Sequence, residues 1–353
     1  MFEQFGFETA TPMQVSVAFA LIIGVMFGAL AQHLRFCFRS AVVGDQDSKP
    51  VARGVWFTAV GAALLGTQVL VANGYISFEE HRLFAQELPI LAILIGGLIF
   101  GIGMVLTHGC ISRLTVLAGT GNLRSLTVII VFAVLAHATL KGMLAPVRVW
   151  LGSVTVPLGE TASLADLPGG AEFWAGALAL AAFAFAFKSC INWRSGVLAV
   201  VLGLLVPATW VGTGFILQDE FDPIVMQSLS FTSPMADLLF WSIASSSIPA
   251  SFGVGLILGV VTGAALAAVS KGEFSWQSFE TPGQTRRYFL GASLMGVGGV
   301  LAGGCTVGAG LAGVPTLSIA ALLALAAIAA GGLLAQHVFH PKGMGNLDSV
   351  GAH

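Results

Sequence analysis

The chain has 353 residues, of which 56% are hydrophobic and only 9% are charged. An ordinary soluble domain carries roughly 25% charged residues, so this composition excludes a soluble protein and indicates one that lies in a membrane. The net charge of −2 gives no basic surface of the kind that nucleic acids require, and no nucleic-acid partner is expected.

Nine apolar runs are long enough to cross a hydrocarbon core about 30 Å thick, and they predict an all-α integral membrane protein surrounded by lipid. The first run has no basic residue before it, so it is predicted to be a retained span rather than a cleaved signal peptide. A further apolar segment, 238–250, is too short to cross alone and is predicted to be a re-entrant or half-length helix. The predicted spans are 13–33, 54–73, 89–107, 125–145, 172–187, 196–217, 251–270, 287–304 and 316–338.

The positions of the basic residues predict the orientation of the spans. Twelve of the fifteen lysines and arginines fall on one side of the predicted membrane, and only Arg82, Lys141 and Arg148 fall on the other. Because positively charged loops stay in the cytoplasm, the nine spans place the N-terminus outside and the C-terminus in the cytoplasm.

Two segments of the chain, 96–126 and 291–319, resemble each other. Each contains a cysteine, but the first follows a span that ends in the cytoplasm and the second a span that ends outside, so the copies are predicted to have inverted topology. Inverted repeats are typical of secondary transporters, and we predict one transport domain, 1–353, with repeats at about 13–145 and 238–338 linked by the spans within 172–217. The matched residues are Gly96, Gly101, Gly103, Gly109 and Cys110 in the first copy and Gly291, Gly296, Gly298, Gly304 and Cys305 in the second.

The glycine-cysteine loops "THGC" at 107–110 and "GGCTVGAG" at 303–310 are the predicted binding site. Backbone N–H groups in such loops, and helices predicted to begin near Leu123 and between Leu311 and Leu317, would direct positive charge at an anion. A neutral thiol does not repel an anion, and its polarisable sulfur favours a ligand that contains sulfur or selenium over sulfate or phosphate. The candidate residues in the two loops are Cys110, Gly109, Cys305, Gly304, Thr306 and Gly308.

Two further readings of the same residues stay open. His108 and Arg113 flank Cys110 and would favour its thiolate, which could carry sulfur as a persulfide in a membrane sulfurtransferase. A passive anion channel is the third reading.

Cys190, at the end of a span, is predicted to be a small buried hydrophobic residue. No metal-binding or Walker motif is present, so no metal, cofactor or ATP is expected.

The segments "THGC" with its following "LAGTGNLRS", "GGCTVGAGLAG" and "LRFCFRSA" resemble the YeeE/YedE family, also called the sulphur-transport domain family, over nearly the whole chain. The resemblance implies a bacterial inner-membrane protein with nine spanning helices, plus short helices and loops that dip in from both faces. It also implies uptake of thiosulfate, or related sulfur or selenium traffic. The anion would be held through S–H hydrogen bonds by Cys305 at the periplasmic entrance, Cys110 near the centre and Cys37 toward the cytoplasmic exit. No TusA-like domain is fused to the chain, so a TusA-like sulfur carrier is expected to be a separate partner.

Overall fold

The computed structural model describes residues 11–78, 81, 84, 87–159, 162–189, 191–219 and 222–339. Within these ranges the chain is almost entirely helical, and its short strands β1 (Glu87–Leu88) and β2 (Val156–Pro157) pair antiparallel. The α-helices are α1 (Pro12–Leu34), α2 (Phe38–Val43), α3 (Ser48–Ala72), α4 (Ile90–Leu106), α5 (Ile111–Gly119), α6 (Leu123–Leu140), α7 (Ala145–Gly152), α8 (Gly170–Phe187), α9 (Trp193–Val211), α10 (Thr232–Ala244), α11 (Phe252–Ser270), α12 (Pro282–Leu301) and α13 (Ile319–Phe339). Two π-helical segments, Gly212–Ile216 and Thr306–Gly313, and two 3-10 turns, Leu164–Asp166 and Val314–Thr316, complete the described elements.

Nine helices in the described ranges are long and apolar enough to cross a membrane, and the protein is therefore a multi-pass membrane protein. The prediction of an all-α fold with nine spans is confirmed. The nine helices are α1, α3, α4, α6, α8, α9, α11, α12 and α13.

Several predicted bounds differ from the structure: α3 begins at Ser48 rather than 54, α12 begins at Pro282 rather than 287, and two further differences lie beside a proline. The short helix α10 runs from Thr232 to Ala244 rather than over 238–250, and Pro234 lies in its first turn, where proline is compatible with a helix. The span predicted as 125–145 ends at Leu140. A turn follows it, and Pro146 opens the separate helix α7.

Glycines allow helices α1 and α11 to pack with their backbones in direct contact. A Cβ atom on Gly24 or Gly28 would collide with backbone atoms of Leu256 and Val260, and the order of these contacts makes the two helices parallel. Small residues spaced four apart commonly permit such close approach between membrane helices.

Helices α4 and α12 pack antiparallel through a second glycine contact. A Cβ atom on Gly96 would lie 2.8 Å from the carbonyl oxygen of Gly298, and one on Gly291 would lie 2.8 Å from that of Gly103. The contact is reciprocal, since the glycine near the start of each helix meets the glycine farther along the other. These helices bring the segments that follow them, which carry Cys110 and Cys305, into one buried core.

Candidate functional site

Each of the three cysteines that the structure describes lies at the N-cap of a short helix. Cys37 precedes α2, Cys110 precedes α5, and Cys305 precedes the π-helix Thr306–Gly313. All three side chains are buried, and none forms a disulfide. The first backbone N–H groups of a helix lack intrahelical acceptors and carry its positive end, so the N-termini of α5 and of the π-helix are suited to hold an anion.

The structure corrects the predicted loop conformation. A helix does begin at Leu123, as expected, and α13 begins at Ile319, just past the expected range, but the helices nearest the cysteines begin directly after Cys110 and directly after Cys305. Buried backbone groups must find hydrogen-bond partners, and winding into a helix provides them within the segment itself. The glycine-rich stretch after Cys305 does so with the wider turn of a π-helix.

Cys37 and Cys110 form a thiol pair. Their side chains lie next to each other, although they belong to different parts of the chain. The backbone N–H groups of Ser40 and Cys110 lie near the Cys37 sulfur. The Cys110 sulfur lies 3.2 Å from the Ser112 hydroxyl oxygen, and Cys110 is fully buried. The pair therefore presents two soft sulfur atoms surrounded by hydrogen-bond donors.

A cavity of about 660 Å³ reaches the π-helix from the end of the molecule where the basic residues are few. Gly308 forms part of its wall, and the backbone N–H of Gly308 donates to the Cys305 sulfur at 3.4 Å. Cys305 itself is fully buried behind this wall. The Ser230 hydroxyl lines the cavity beside Gly308, and its oxygen is buried and has no hydrogen-bond partner among the described residues. The cavity thus ends at polar groups next to Cys305.

The other predicted residues of this loop support the π-helix. Gly304 lies close to the Ala309 backbone, because a Cβ atom on it would be 3.1 Å from the Ala309 nitrogen. Thr306 is fully buried, and its hydroxyl finds no hydrogen-bond partner within the described ranges. The first turn of the π-helix therefore carries an unsatisfied polar group beside Cys305.

Aromatic rings connect the cavity with the thiol pair. Phe231, the neighbour of Ser230, packs on Phe27 with ring centroids 5.5 Å apart, and Phe27 meets Phe36 edge to face at 6.1 Å. Phe36 directly precedes Cys37. Sequence reasoning missed these rings, because hydropathy alone does not distinguish them from the rest of the apolar core.

Trp56 makes a second connection. Its indole lies 3.1 Å from the position that a Cβ atom of Gly310 would occupy in the π-helix, and it stacks on Phe36 with centroids 4.9 Å apart. Buried aromatic side chains thus lie between Cys305 and the Cys37–Cys110 pair.

His108 and Arg113 contact side chains at the end of the molecule where the basic residues concentrate. His108 has a left-handed backbone conformation (φ 57°), and its ring contacts the guanidinium groups of Arg39 and Arg287. Gly109 continues this turn into Cys110. Arg113 donates to the Gln32 side-chain oxygen at 3.1 Å, so its charge is held by a neighbouring amide. Arg39 could be noticed from the sequence, because it lies two residues after Cys37 in the segment "LRFCFRS". Nothing in the sequence singled out Arg287.

The family model for sulphur transport matches residues 33–334, a range that includes Cys37, Cys110 and Cys305. The chain belongs to the sulphur transport family. The stated resemblance is thereby confirmed.

Two relatives of this chain are named as thiosulfate transporters. The thiosulfate transporter TsuA of Spirochaeta thermophila is 29% identical over 329 residues, which are 86% of this chain and 93% of that protein. The thiosulfate transporter TsuA of Escherichia coli is 27% identical over 332 residues, which are 82% of this chain and 85% of that protein. The alignments extend over most of the chain rather than over one motif. Cys190, predicted to be a packing residue, lies outside the described residues.

Proposed function

We propose that this protein takes up thiosulfate through a relay of cysteine side chains. The observation that carries the proposal is the series of a polar cavity, Cys305 at a helix N-cap, and the buried Cys37–Cys110 pair. The names of the two TsuA relatives support thiosulfate as the substrate. Both ends of the route would then offer sulfur contacts to a sulfur-containing anion.

Backbone and thiol donors would share the work of binding the dianion. The N–H groups at the starts of the π-helix and of α5 stabilise negative charge, and they do so strongly in surroundings without water. Neutral S–H groups of Cys305, Cys110 and Cys37 donate weak hydrogen bonds and contact the terminal sulfur of thiosulfate. Sulfate has no such sulfur atom, so it gains less from the cysteines.

The direction of transport follows from the charge distribution. Basic residues concentrate at the end where α1 and α4 finish, and the positive-inside tendency would make this end cytoplasmic. The N-terminus would be periplasmic, the C-terminus cytoplasmic, and the membrane the bacterial inner membrane. Cys305 would then meet the anion first, and Cys37 would release it.

An inverted repeat would account for the paired architecture. The reciprocal contacts of Gly96 with Gly298 and of Gly103 with Gly291 support it, because an axis in the membrane plane exchanges equivalent positions in this way. We assign one transport domain, 1–353, with repeats at about 13–145 and 238–338.

A sulfurtransferase is the second candidate, and the Cys37–Cys110 pair is the observation that favours it. One thiolate would attack the outer sulfur of thiosulfate, form a persulfide and release sulfite. A separate TusA-like carrier would accept the sulfur. Mass spectrometry after incubation with thiosulfate tests this candidate, because a stable addition of one sulfur atom to Cys110 supports the enzyme and its absence supports the relay.

Uptake of radiolabelled thiosulfate into proteoliposomes tests the transporter proposal. We expect saturable uptake that unlabelled thiosulfate inhibits more strongly than sulfate or sulfite, and selenite competition tests selenium traffic. A flux that does not saturate would support a channel instead, and the absence of thiosulfate uptake would contradict the proposal.

A further inference from the structure

Three arginines converge at the basic end of the molecule, next to the thiol pair. Arg39 lies on α2, Arg124 on α6 and Arg287 on α12, and all three are close enough to act electrostatically on Tyr288. The Nε atom of each is buried and has no hydrogen-bond partner in the part of the chain that the structure describes. The cluster therefore combines concentrated positive charge with unused donors.

His108 is unable to satisfy both arginines that contact it. The Nη2 atom of Arg39 lies 3.4 Å from Nδ1 of His108, and Nη2 of Arg287 contacts Nε2 of the same ring. A neutral imidazole has one acceptor nitrogen, a protonated one has none, and a guanidinium only donates. At least one of these guanidinium groups consequently faces another donor.

Among the described residues, carboxylates neutralise only a small part of this charge. In the described part of the chain, the one salt bridge joins Arg124 to Glu280 at 3.8 Å, and the Glu280 side chain is 68% exposed. Arg39 and Arg287 have no such partner among the described residues. Like charges that share a buried site repel one another, and a bound anion would offset this repulsion.

We infer that Arg39, Arg287 and Arg124, gathered around His108 and Tyr288, form a second anion site that takes a small doubly charged oxyanion. The inference rests on the proposed transport function in one respect: it identifies the occupant as the transported anion after it leaves the cysteines. Arg39 is close to the Cys37 sulfur, so the two sites are adjacent. Guanidinium groups bind tetrahedral oxyanions well because their planar N–H groups pair with two oxygens at once.

Tyr288 offers a reporter that does not depend on transport. The chain has two tyrosines, so Tyr75→Phe leaves Tyr288 as the single site for a fluorinated tyrosine. Tyr288 is 8% exposed, and its ring centroid lies 6.1 Å from that of His108. We would record fluorine NMR spectra of the full chain in nanodiscs during titrations with sodium thiosulfate, sodium sulfate and, at matched ionic strength, sodium chloride.

We expect a saturable shift of the Tyr288 resonance with thiosulfate and with sulfate, but not with chloride. Arg39→Gln and Arg287→Gln should weaken binding by about tenfold or more, because each removes charged hydrogen bonds to the anion. Arg286→Gln is the matched control, since Arg286 is the exposed neighbour of Arg287 and should leave the titration unchanged. Arg287→Lys, which keeps the charge, should retain part of the binding and checks that the variants fold.

The outcomes distinguish a site for the oxyanion from charge screening and from lipid binding. They also test this site separately from the proposed transport function. An equal shift with chloride would indicate charge screening and would overturn the site. A shift that follows anionic lipid in the nanodisc rather than added salt would assign the arginines to a lipid headgroup and would also overturn it. Thiosulfate uptake without a Tyr288 shift would reject this site alone, whereas a shift without uptake would reject the transport proposal alone.

Discussion

The side chain of Cys37 lies against the side chain of Cys110, so two N-caps that are far apart in the sequence meet at one point in the fold. Cys305 caps a third short helix near the cavity. This arrangement makes the cysteines the first residues to test.

Cys110→Ala and Cys305→Ala are expected to abolish growth on thiosulfate as the only sulfur source, in a strain that lacks its other uptake systems. Each variant removes a hydrogen bond to a charged ligand, which is worth about 1.5–3 kcal/mol or roughly a tenfold to hundredfold loss of affinity. Cys190→Ala is the control and should grow normally. Equal growth of all three variants would contradict the assignment of the site.

Gly308→Ala is expected to raise KM for thiosulfate by roughly fivefold, or about 1 kcal/mol. Its Cβ atom would lie 3.0 Å from the Ser230 hydroxyl and would narrow the cavity beside Cys305. Ser230→Gly in the same chain removes this contact and should restore part of the affinity. Uptake kinetics of the single and double variants measure the effect, and a KM unchanged by Gly308→Ala would show that the anion does not reach this wall.

Thiosulfate affinity should increase as the external pH falls. Asp237 lines the cavity, and partial desolvation there raises the pKa of this exposed carboxyl, while the charges of Lys141 and His137 act in the opposite direction. Protonation below the raised pKa removes a negative charge that repels the dianion. KM measured against pH should therefore fall on acidification.

Asp237→Asn provides the control for this pH dependence. Its KM should resemble the acidic value of the unaltered protein at every pH, apart from any contribution of His81 and His137. The same pH profile in both proteins would show that Asp237 does not act on the anion.

Gly28→Val is expected to destabilise the protein by about 1–3 kcal/mol or more, because the new side chain would overpack the contact between α1 and α11. Gly176→Ala is the matched control, since a Cβ atom there meets nothing within 4 Å and alanine favours the helix. Thermal unfolding of the detergent-solubilised variants measures the difference. Equal midpoints would contradict the close packing of these helices.

Much of the fold could be predicted from the sequence, because a membrane span is set by length and hydropathy within one segment. The helix α10 was displaced in the prediction, since a helix that does not cross the membrane has no required length, and only Pro234 indicated its start. The helices directly after Cys110 and Cys305 were missed because glycine content suggested an open loop. Burial instead requires the backbone of these segments to be hydrogen-bonded.

The site was predictable only where its signal was local. Cys110 and Cys305 were found from repeated glycine-cysteine segments, whereas Cys37 entered through the family resemblance alone. Its contact with Cys110 and the contact of Arg287 with His108 join distant helices, and one sequence contains no pattern that reports such pairs. The Ser230 hydroxyl was missed for the same reason.

The glycine contacts described above also limit how the protein moves. Helices whose backbones touch, as α1 and α11 do at Gly24 and Gly28, are unable to slide or rotate against each other without steric collision. The same holds for α4 and α12 at Gly96 and Gly298. Each helix pair therefore moves as one rigid unit. We therefore expect the motions that admit an anion to be small ones, made by side chains and by the short capped helices between these two rigid pairs.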